Sequence, residues 1–205
     1  INANGNVLLD SVAYQDISGY VTIPAAEYRI DVTAANDPAS LVAPFYLDAS
    51  GLGGITAVAI ASGFLSPAND NNGPAFGLFA VPQTGGAFIP LTAVGGGKLQ
   101  VIHNSADPAA DTVDIYLDVL TDTIKLDNVA FRTATEYLDV PADYPLGVVV
   151  ALSNSTGIDD GVVATFEPAL ADGDEVIAIA SGVVGTGFAA NPDMVDTDFT
   201  LLLTP

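Results

Sequence analysis

The chain has 205 residues, half of them apolar, with no Cys and a formal net charge of −21 from 25 acids against four Lys or Arg. That length and apolar content suffice for a core. The charge excludes nucleic acid and anionic lipid as partners, because both are bound through clustered cations, and the missing Cys excludes disulfide frameworks, thiolate metal sites and Cys nucleophiles. The acids are 21 Asp and only 4 Glu, a bias toward turns rather than helices. With frequent Val, Ile, Thr, Tyr and Phe, and with 20 Gly and 13 Pro spread along the chain, it predicts short strands joined by turns.

In chain order, one pattern occurs twice, and a repeat decides the architecture before any single residue is interpreted. Leu9-Asp10-Ser11-Val12-Ala13-Tyr14 returns as Leu126-Asp127-Asn128-Val129-Ala130-Phe131. At the same offset, Tyr20-Val21-Thr22-Ile23-Pro24-Ala25 returns as Tyr137-Leu138-Asp139-Val140-Pro141-Ala142. Ala59-Ile60-Ala61-Ser62-Gly63 recurs as Ala178-Ile179-Ala180-Ser181-Gly182, and FGLFAVP at 76–82 parallels FTLLLTP at 199–205. Glycine clusters bracket a short apolar stretch over 83–97, which reads as a Gly-rich linker. It separates a first repeat, 1–82, from a second, 98–205.

In the second repeat, apolar and polar residues alternate over 98–104, 112–118, 124–131 and 135–140, the period of half-buried strands. Continuous apolar runs at 146–152, 162–166 and 176–180 predict strands buried on both faces. Pro168 and Gly173 interrupt the one stretch with helical character, so at most a short turn is expected there. About eight short strands per full repeat, with turn residues roughly every 8 to 12 positions, predict an all-β chain of two tandem immunoglobulin-like β-sandwich modules.

The copies differ at their starts. Residues 98–125 precede the shared LD(S/N)VA block in the second copy, but only residues 1–8 precede it in the first. The first module is therefore expected to lack its leading strands. Such a gap leaves an apolar groove and unpaired backbone groups, each costing about 1–3 kcal/mol if buried. A segment cut away ahead of Ile1, a strand kept from a cleaved precursor, or a strand from a neighbouring subunit as in pilin complementation would each fill it. A plain cleavage boundary would leave the same asymmetry. Donation between subunits is heterologous and does not close, so it propagates into filaments. The start at Ile1 rather than Met points to removal of an N-terminal segment and to export, and no apolar run reaches the roughly 18 residues of a membrane span.

His103 is the sole histidine, and with Ser105 and Asp107 or Asp114 it invites a Ser-His-Asp reading. These residues fall in one strand-turn-strand segment and no GxSxG accompanies them, so no catalytic role is expected. Instead, Ser105 and Asp107 are expected to accept local backbone hydrogen bonds in an Asx-type turn that His103 ties to the sheet. Asp159, Asp160, Asp172 and Asp174, like the Asp-rich stretches at 69–73 and 193–198, offer oxygen ligands to calcium, the one cofactor considered. None has the spacing of the twelve-residue calcium loop, and solvated turns that guard sheet edges account for them equally. Asn154-Ser155-Thr156 is a glycosylation sequon expected on an accessible loop. Tyr14, Tyr20, Tyr28, Tyr46, Tyr116, Tyr137 and Tyr144 could form a sugar-stacking face or point into the core.

KLQVIHNSADPAADTVDIYL at 98–117, followed by LDNVAF, EYLDVPA and DEVIAIASG, resembles the bacterial surface-protein repeats called domain of unknown function 4397. In that family the opening is an apolar strand, a His-x-Ser-x-Asp-x-Pro-like turn and a VDVY-like strand. Here His103, Ser105, Asp107, Pro108, Val113, Asp114, Ile115 and Tyr116 carry it. The resemblance covers the second repeat, whereas the first matches only from Leu9 and has no equivalent of His103, Asp107 or Asp114. It implies a sandwich fold and an exported or surface-bound protein, often in tandem copies, with no assigned activity. The expected function is that of a non-enzymatic extracellular structural protein, a filament or pilus-like subunit polymerising head to tail with copies of itself by strand donation. The alternative is a cell-surface adhesin or carbohydrate-binding module with glycans as partners.

Overall fold

The computed structural model describes residues 1–34, 37–119 and 122–204, and their regular secondary structure is almost wholly β-strand. The chain divides into two compact units, Ile1–Val94 and Gly95–Pro205. Unit 1 contains β1 (Asn2–Ala3), β2 (Asn6–Val7), β3 (Glu27–Ala34), β4 (Asp37–Asp48), β5 (Ala57–Ser62), β6 (Gly77–Pro82), β7 (Ile89–Pro90) and β8 (Thr92–Ala93). Its sheets run β2-β1-β3-β4-β8 and β5-β6-β7. Unit 2 contains β9 (Gly95–His103), β10 (Thr112–Asp118), β11 (Thr123–Ala130), β12 (Thr133–Ala134), β13 (Leu138–Ala142), β14 (Gly147–Leu152), β15 (Val162–Phe166), β16 (Glu175–Ser181) and β17 (Thr200–Thr204). One sheet runs β11-β10-β14-β15 and the other β12-β9-β16-β17, with β13 also on β9.

The two sheets of unit 2 face each other across one core. From one come Leu99, Val101, Val140, Ala142, Val176 and Ala178, and from the other Val113, Ile115, Leu117, Val148 and Val150. Alternation explains β9, whose Leu99, Val101 and His103 point inward. The run in β14 is buried on both faces over Val148–Ala151, as a continuous apolar strand should be. The runs in β15 and β16 depart from that expectation. β15 ends its sheet and stays half-open, and β16 alternates, burying Val176, Ala178 and Ala180 only. Of the alternating stretch at 135–140 only the last three residues are strand, in β13, and β12 precedes the stretch on β9.

The expected linker over 83–97 is corrected by the structure. Ile89–Pro90 pairs with β6 and Thr92–Ala93 with β4, so residues up to Val94 finish unit 1. Gly95, Gly96 and Gly97 form the start of β9 rather than a flexible joint. Their composition has a steric cause: a Cβ on Gly95 would overlap Asp172, and one on Gly97 would press on the Asp174 carbonyl.

The repeat seen in the sequence is also a repeat of structure. Ser62 opposes Gly77 on β5 and β6, and Ser181 opposes Thr200 on β16 and β17. Gly63 and Gly182 follow with φ of +99° and +94°, each against a backbone that leaves no room for a Cβ, and each precedes an isolated parallel bridge. Phe45 meets Phe76 at 6.2 Å between ring centroids, as Phe166 meets Phe199 at 6.3 Å. By this correspondence β3, β4, β5 and β6 match β14, β15, β16 and β17. Pro205, expected to close the second copy as Pro82 closes the first, lies outside the described residues.

Candidate functional site

The matching strands show which elements of unit 2 have no described counterpart in unit 1. In unit 2, β9 lies beside β16, in parallel, with Lys98 to His103 opposite Glu175 to Ala180. β10 lies between β11 and β14. These two strands supply Leu99, Val101, His103, Val113, Asp114, Ile115 and Leu117, most of the largest fully buried side chains of the described chain. In unit 1, β5 ends its sheet, with β6 on one side and no described strand on the other. Its residues are exposed apart from half-buried Ile60, whereas β16 buries every second residue.

β10 has a two-residue remnant. β1 pairs with β3 through Asn2–Asp31 and Ala3–Ile30, and with β2 through Asn2–Val7 and Ala3–Asn6. The hairpin turns at Asn4 and Gly5, with φ of 45° and 76°, the signature of a tight two-residue connection. β1 thus stands where the last residues of β10 pair with β14, and the outer edge of β3 beyond Asp31 has no described neighbour. Residues 10–22, whose counterparts build β11 to β13, are entirely exposed in unit 1. Tyr14 is 92%, Ile17 97% and Tyr20 81% exposed. Even so, Ser11 and Gln15 have φ of 51° and 73°, matching 55° and 64° at Asn128 and Arg132. The two bends match although no described strand pairs with residues 10–22. Asp16 Oδ2 accepts from Ala13 N–H at 2.8 Å, whereas Thr133 Oγ1 donates to the Ala130 carbonyl at 2.6 Å.

Two polar clusters fix β9 and β10 in unit 2. After β9 the chain turns into a short 3-10 helix, Pro108–Ala110, capped by Asp107. Asp107 Oδ1 accepts from Ala109 N–H at 2.8 Å, the Asx turn expected of its spacing. Its Oδ2 accepts from Val184 and Gly185 N–H, both at 2.8 Å, beyond the end of β16. Ser105 Oγ donates to the Gly182 carbonyl at 2.6 Å and accepts weakly from Asp107 N–H at 3.4 Å. His103 Nε2 lies 2.7 Å from the Ala110 carbonyl and Nδ1 3.4 Å from Ser105 N–H, partners that put the proton on Nε2. The three side chains are buried. The Ala109 and Gly185 N–H groups hold the Asp107 carboxyl below its usual range, with burial opposing and Val184 adding. The Ser105 hydroxyl points at a carbonyl and not at the imidazole, so the two do not form a nucleophile-base pair.

Asp114 is the second anchor. The β10–β11 register shifts between Val113 and Ile115, a bulge opposite Asn128. Asp114 Oδ1 accepts from Asn128 N–H at 2.9 Å, and Oδ2 accepts from Ser155 Oγ at 2.7 Å and from Lys125 Nζ at 2.9 Å. Ser155 Oγ also meets Tyr116 OH at 2.9 Å, and Lys125 bridges to Asp127 at 2.8 Å. Burial pushes the Asp114 carboxyl up, but Asn128, Lys125 and Ser155 together outweigh it and hold the group low. Asp127 and then Asp114 raise the Lys125 ammonium. Sequence reasoning picked out Asp114 but missed Lys125, Ser155 and Tyr116, which lie 11, 41 and 2 positions from it. Only the alternation that puts Asp114 and Tyr116 on one face of β10 hinted at them.

The remaining candidates lie apart from these anchors. Asp160 accepts from Thr156 N–H and Oγ1, both at 2.9 Å, Asp172 from Gly96 N–H at 2.9 Å and Asp174 from Ala171 N–H at 2.9 Å. Asp159 is exposed beside Asp160. No group of three His, Cys, Asp or Glu able to hold a metal occurs among the described residues. Asn154 is exposed on the turn joining β14 to β15. Tyr28, Tyr116 and Tyr144 are buried, whereas Tyr137 is exposed with Tyr14 and Tyr20. No described helix is long and apolar enough to cross a membrane. Compared with known proteins, the chain matches no family model and no curated protein.

Proposed function

We propose that the protein is a non-enzymatic structural protein of the cell exterior whose first unit accepts β-strands from a neighbouring subunit, so that copies join head to tail. The observation that carries this reading is the open edge of β5, whose counterpart β16 is covered by β9. An incoming strand with the pattern of β9 would run parallel to β5. A segment continuing into β10 would extend the two residues of β1 along β3 and cover residues 10–22. Supporting side chains are those that β9 buries in unit 2: Leu99 and Val101 are 0% and 1% exposed, and burying each such side chain contributes about 1.5–3 kcal/mol. Main-chain pairing adds specificity of direction, as in other strand-addition complexes. The net charge of −21 suits a protein that stays soluble outside the cell until paired, and exposed Asn154 is placed to carry a glycan.

Native material examined by electron microscopy and size-exclusion chromatography is expected to contain regular fibres. A peptide of residues 95–115 added to the chain is expected to protect the β5 amides from hydrogen exchange. A stable monomer whose β5 amides ignore that peptide would falsify the reading. A second reading, an adhesive or carbohydrate-binding module, is favoured by exposed Tyr14 and Tyr20. Glycan binding that is lost on Tyr14→Ala or Tyr20→Ala, with no fibres, would select it.

A further inference from the structure

The turn joining β14 to β15 carries Asn154-Ser155-Thr156, and its three residues are held in different ways. Asn154 is exposed. Ser155 is 6% exposed, and each of its polar groups is engaged. Its Oγ donates to Asp114 Oδ2 at 2.7 Å and meets Tyr116 OH at 2.9 Å. Its N–H donates to the Leu152 carbonyl at 2.9 Å, and its own carbonyl accepts from Lys125 Nζ at 3.2 Å.

Thr156 is stitched to the other limb of the turn. Its N–H and Oγ1 both donate to Asp160 Oδ2 at 2.9 Å, and those two bonds hold the Asp160 carboxyl below its usual range, against burial. Asp160 N–H donates to the Gly157 carbonyl at 3.1 Å, and Leu152 N–H closes the base of the loop on the Gly161 carbonyl at 2.9 Å. Within the loop, Ile158 packs on Tyr116, Val149 and Ala151, on the face of β10 and β14 turned away from the main core.

The side-chain amide of Asn is a weak nucleophile, because its nitrogen lone pair is delocalised into the carbonyl. Sugar transfer to it is enzymatic, and the acceptor pattern demands a hydroxyl two residues on. That hydroxyl takes no part in the new bond, so it is the transferase that reads it. An enzyme gripping the Asn154 amide and the Thr156 hydroxyl together has to lift the tripeptide out of its turn. In folded unit 2 this frees Thr156 from Asp160 and pulls Ser155 off Asp114, a fully buried carboxylate.

Resting on the reading of Asn154 as a glycan carrier, we infer that the sugar is added only while unit 2 is unfolded, and that closing of the β14–β15 turn shuts the site. The donor is an oligosaccharide on a polyprenyl pyrophosphate. Asn154 Nδ2 forms a bond to the anomeric carbon, the bond from that carbon to the pyrophosphate oxygen breaks, and the pyrophosphate leaves with the electron pair. One amide proton passes to a base of the transferase. Folding and modification therefore compete, and a chain that folds first stays bare. A chain modified first still folds, because Asn154 is exposed in the finished turn.

The test offers a single-subunit oligosaccharyltransferase and a polyprenyl-pyrophosphate oligosaccharide three forms of the whole chain, with intact mass as the readout. The first is folded, and the second is diluted from denaturant directly into the enzyme. The third is Ala178→Asp, whose acid at a fully buried position of β16 unfolds unit 2, as hydrogen exchange of β14 verifies. Ala178→Asp is expected to gain one oligosaccharide, and the folded chain to react about a hundredfold more slowly or less, the factor implied by breaking two bonds to carboxylates. The diluted chain is expected to be modified in part, less so the longer the enzyme is withheld. Equal rates for the folded chain and Ala178→Asp overturn the inference, as does a diluted chain whose modification ignores the delay. If open Ala178→Asp takes no sugar at all, the glycan reading of Asn154 falls and the inference with it, while strand acceptance by unit 1 is untouched.

Discussion

Aspartate placed at Ala178, and separately at Ala59, measures what a covering strand contributes, because the two positions are the same residue of the repeat in a closed and an open setting. Ala178 is 0% exposed and lies on β16 between Val101 of β9 and Leu203 of β17. A carboxyl buried there without a partner has its pKa raised by about 3–5 units. At about 1.36 kcal/mol per unit, and with neutralisation capping the cost at the gap between the unfolded carboxyl and pH 7, that costs roughly 4 kcal/mol at pH 7, much of the stability of a small domain. Ala59 is exposed on β5, beside an edge that no described strand covers, and a surface substitution of this kind changes stability by about 0.5 kcal/mol or less. Hydrogen exchange read on peptides from each unit separates the two, each unit serving as control for the other. Ala178→Asp should abolish protection in unit 2 and leave unit 1 unchanged, whereas Ala59→Asp should leave both folded and prevent the peptide of residues 95–115 from protecting β5. Equal loss of protection from the two substitutions would refute the reasoning, since it would mean that β5 is already covered.

Leu99→Ala removes a fully buried side chain at the centre of the β9 sheet, between β13 and β16, and should cost unit 2 about 2–5 kcal/mol in chemical denaturation. Gly182→Ala forces a Cβ into the Asp198 backbone at φ +94°, and should destabilise unit 2 by about 1–3 kcal/mol or more, read as a lowered thermal transition. Acid should weaken unit 2 through Asp107 and Asp114. Both carboxyls sit below their ordinary value when folded, so the unfolded chain binds their protons more readily. Their contribution is complete above a pH of about 4 and is lost as pH falls from there toward the folded values. The slope, measured by hydrogen exchange of β10 between neutral and acid pH, should flatten in Asp114→Asn.

The repeat made much of the fold legible. Shared words such as LD(S/N)VA and AIASG carry the αL residue of a bulge and the obligatory glycine after a strand, so similarity of sequence there is similarity of backbone. β10 and β15 were bounded correctly by alternation and by turn residues. What misled was glycine at 95–97, read as slack because glycine usually is. Pairing with β13, more than 40 positions away, makes it a strand, and the approach of Asp172 and Asp174 leaves little room for a side chain at Gly95 and Gly97. The depth of burial of β15 was likewise unreadable, because edge or centre is decided by which strand arrives next and not by the strand itself. Of the polar anchors, Asp107 was legible as a turn residue from its neighbours Ser105 and Pro108. Its second oxygen, reaching Val184 and Gly185, was not. Ser155 was hidden inside a glycosylation sequon while its hydroxyl serves Asp114.

Within residues 10–22, the left-handed bends at Ser11 and Gln15 match those at Asn128 and Arg132 although no described strand pairs with them. Ordering a residue's backbone costs about 1–2 kcal/mol, so on the proposed reading the residues already bent would spare the acceptor that part of the cost when a strand pairs with it. A module open in this manner would, on that reading, be a mould partly set before its casting arrives.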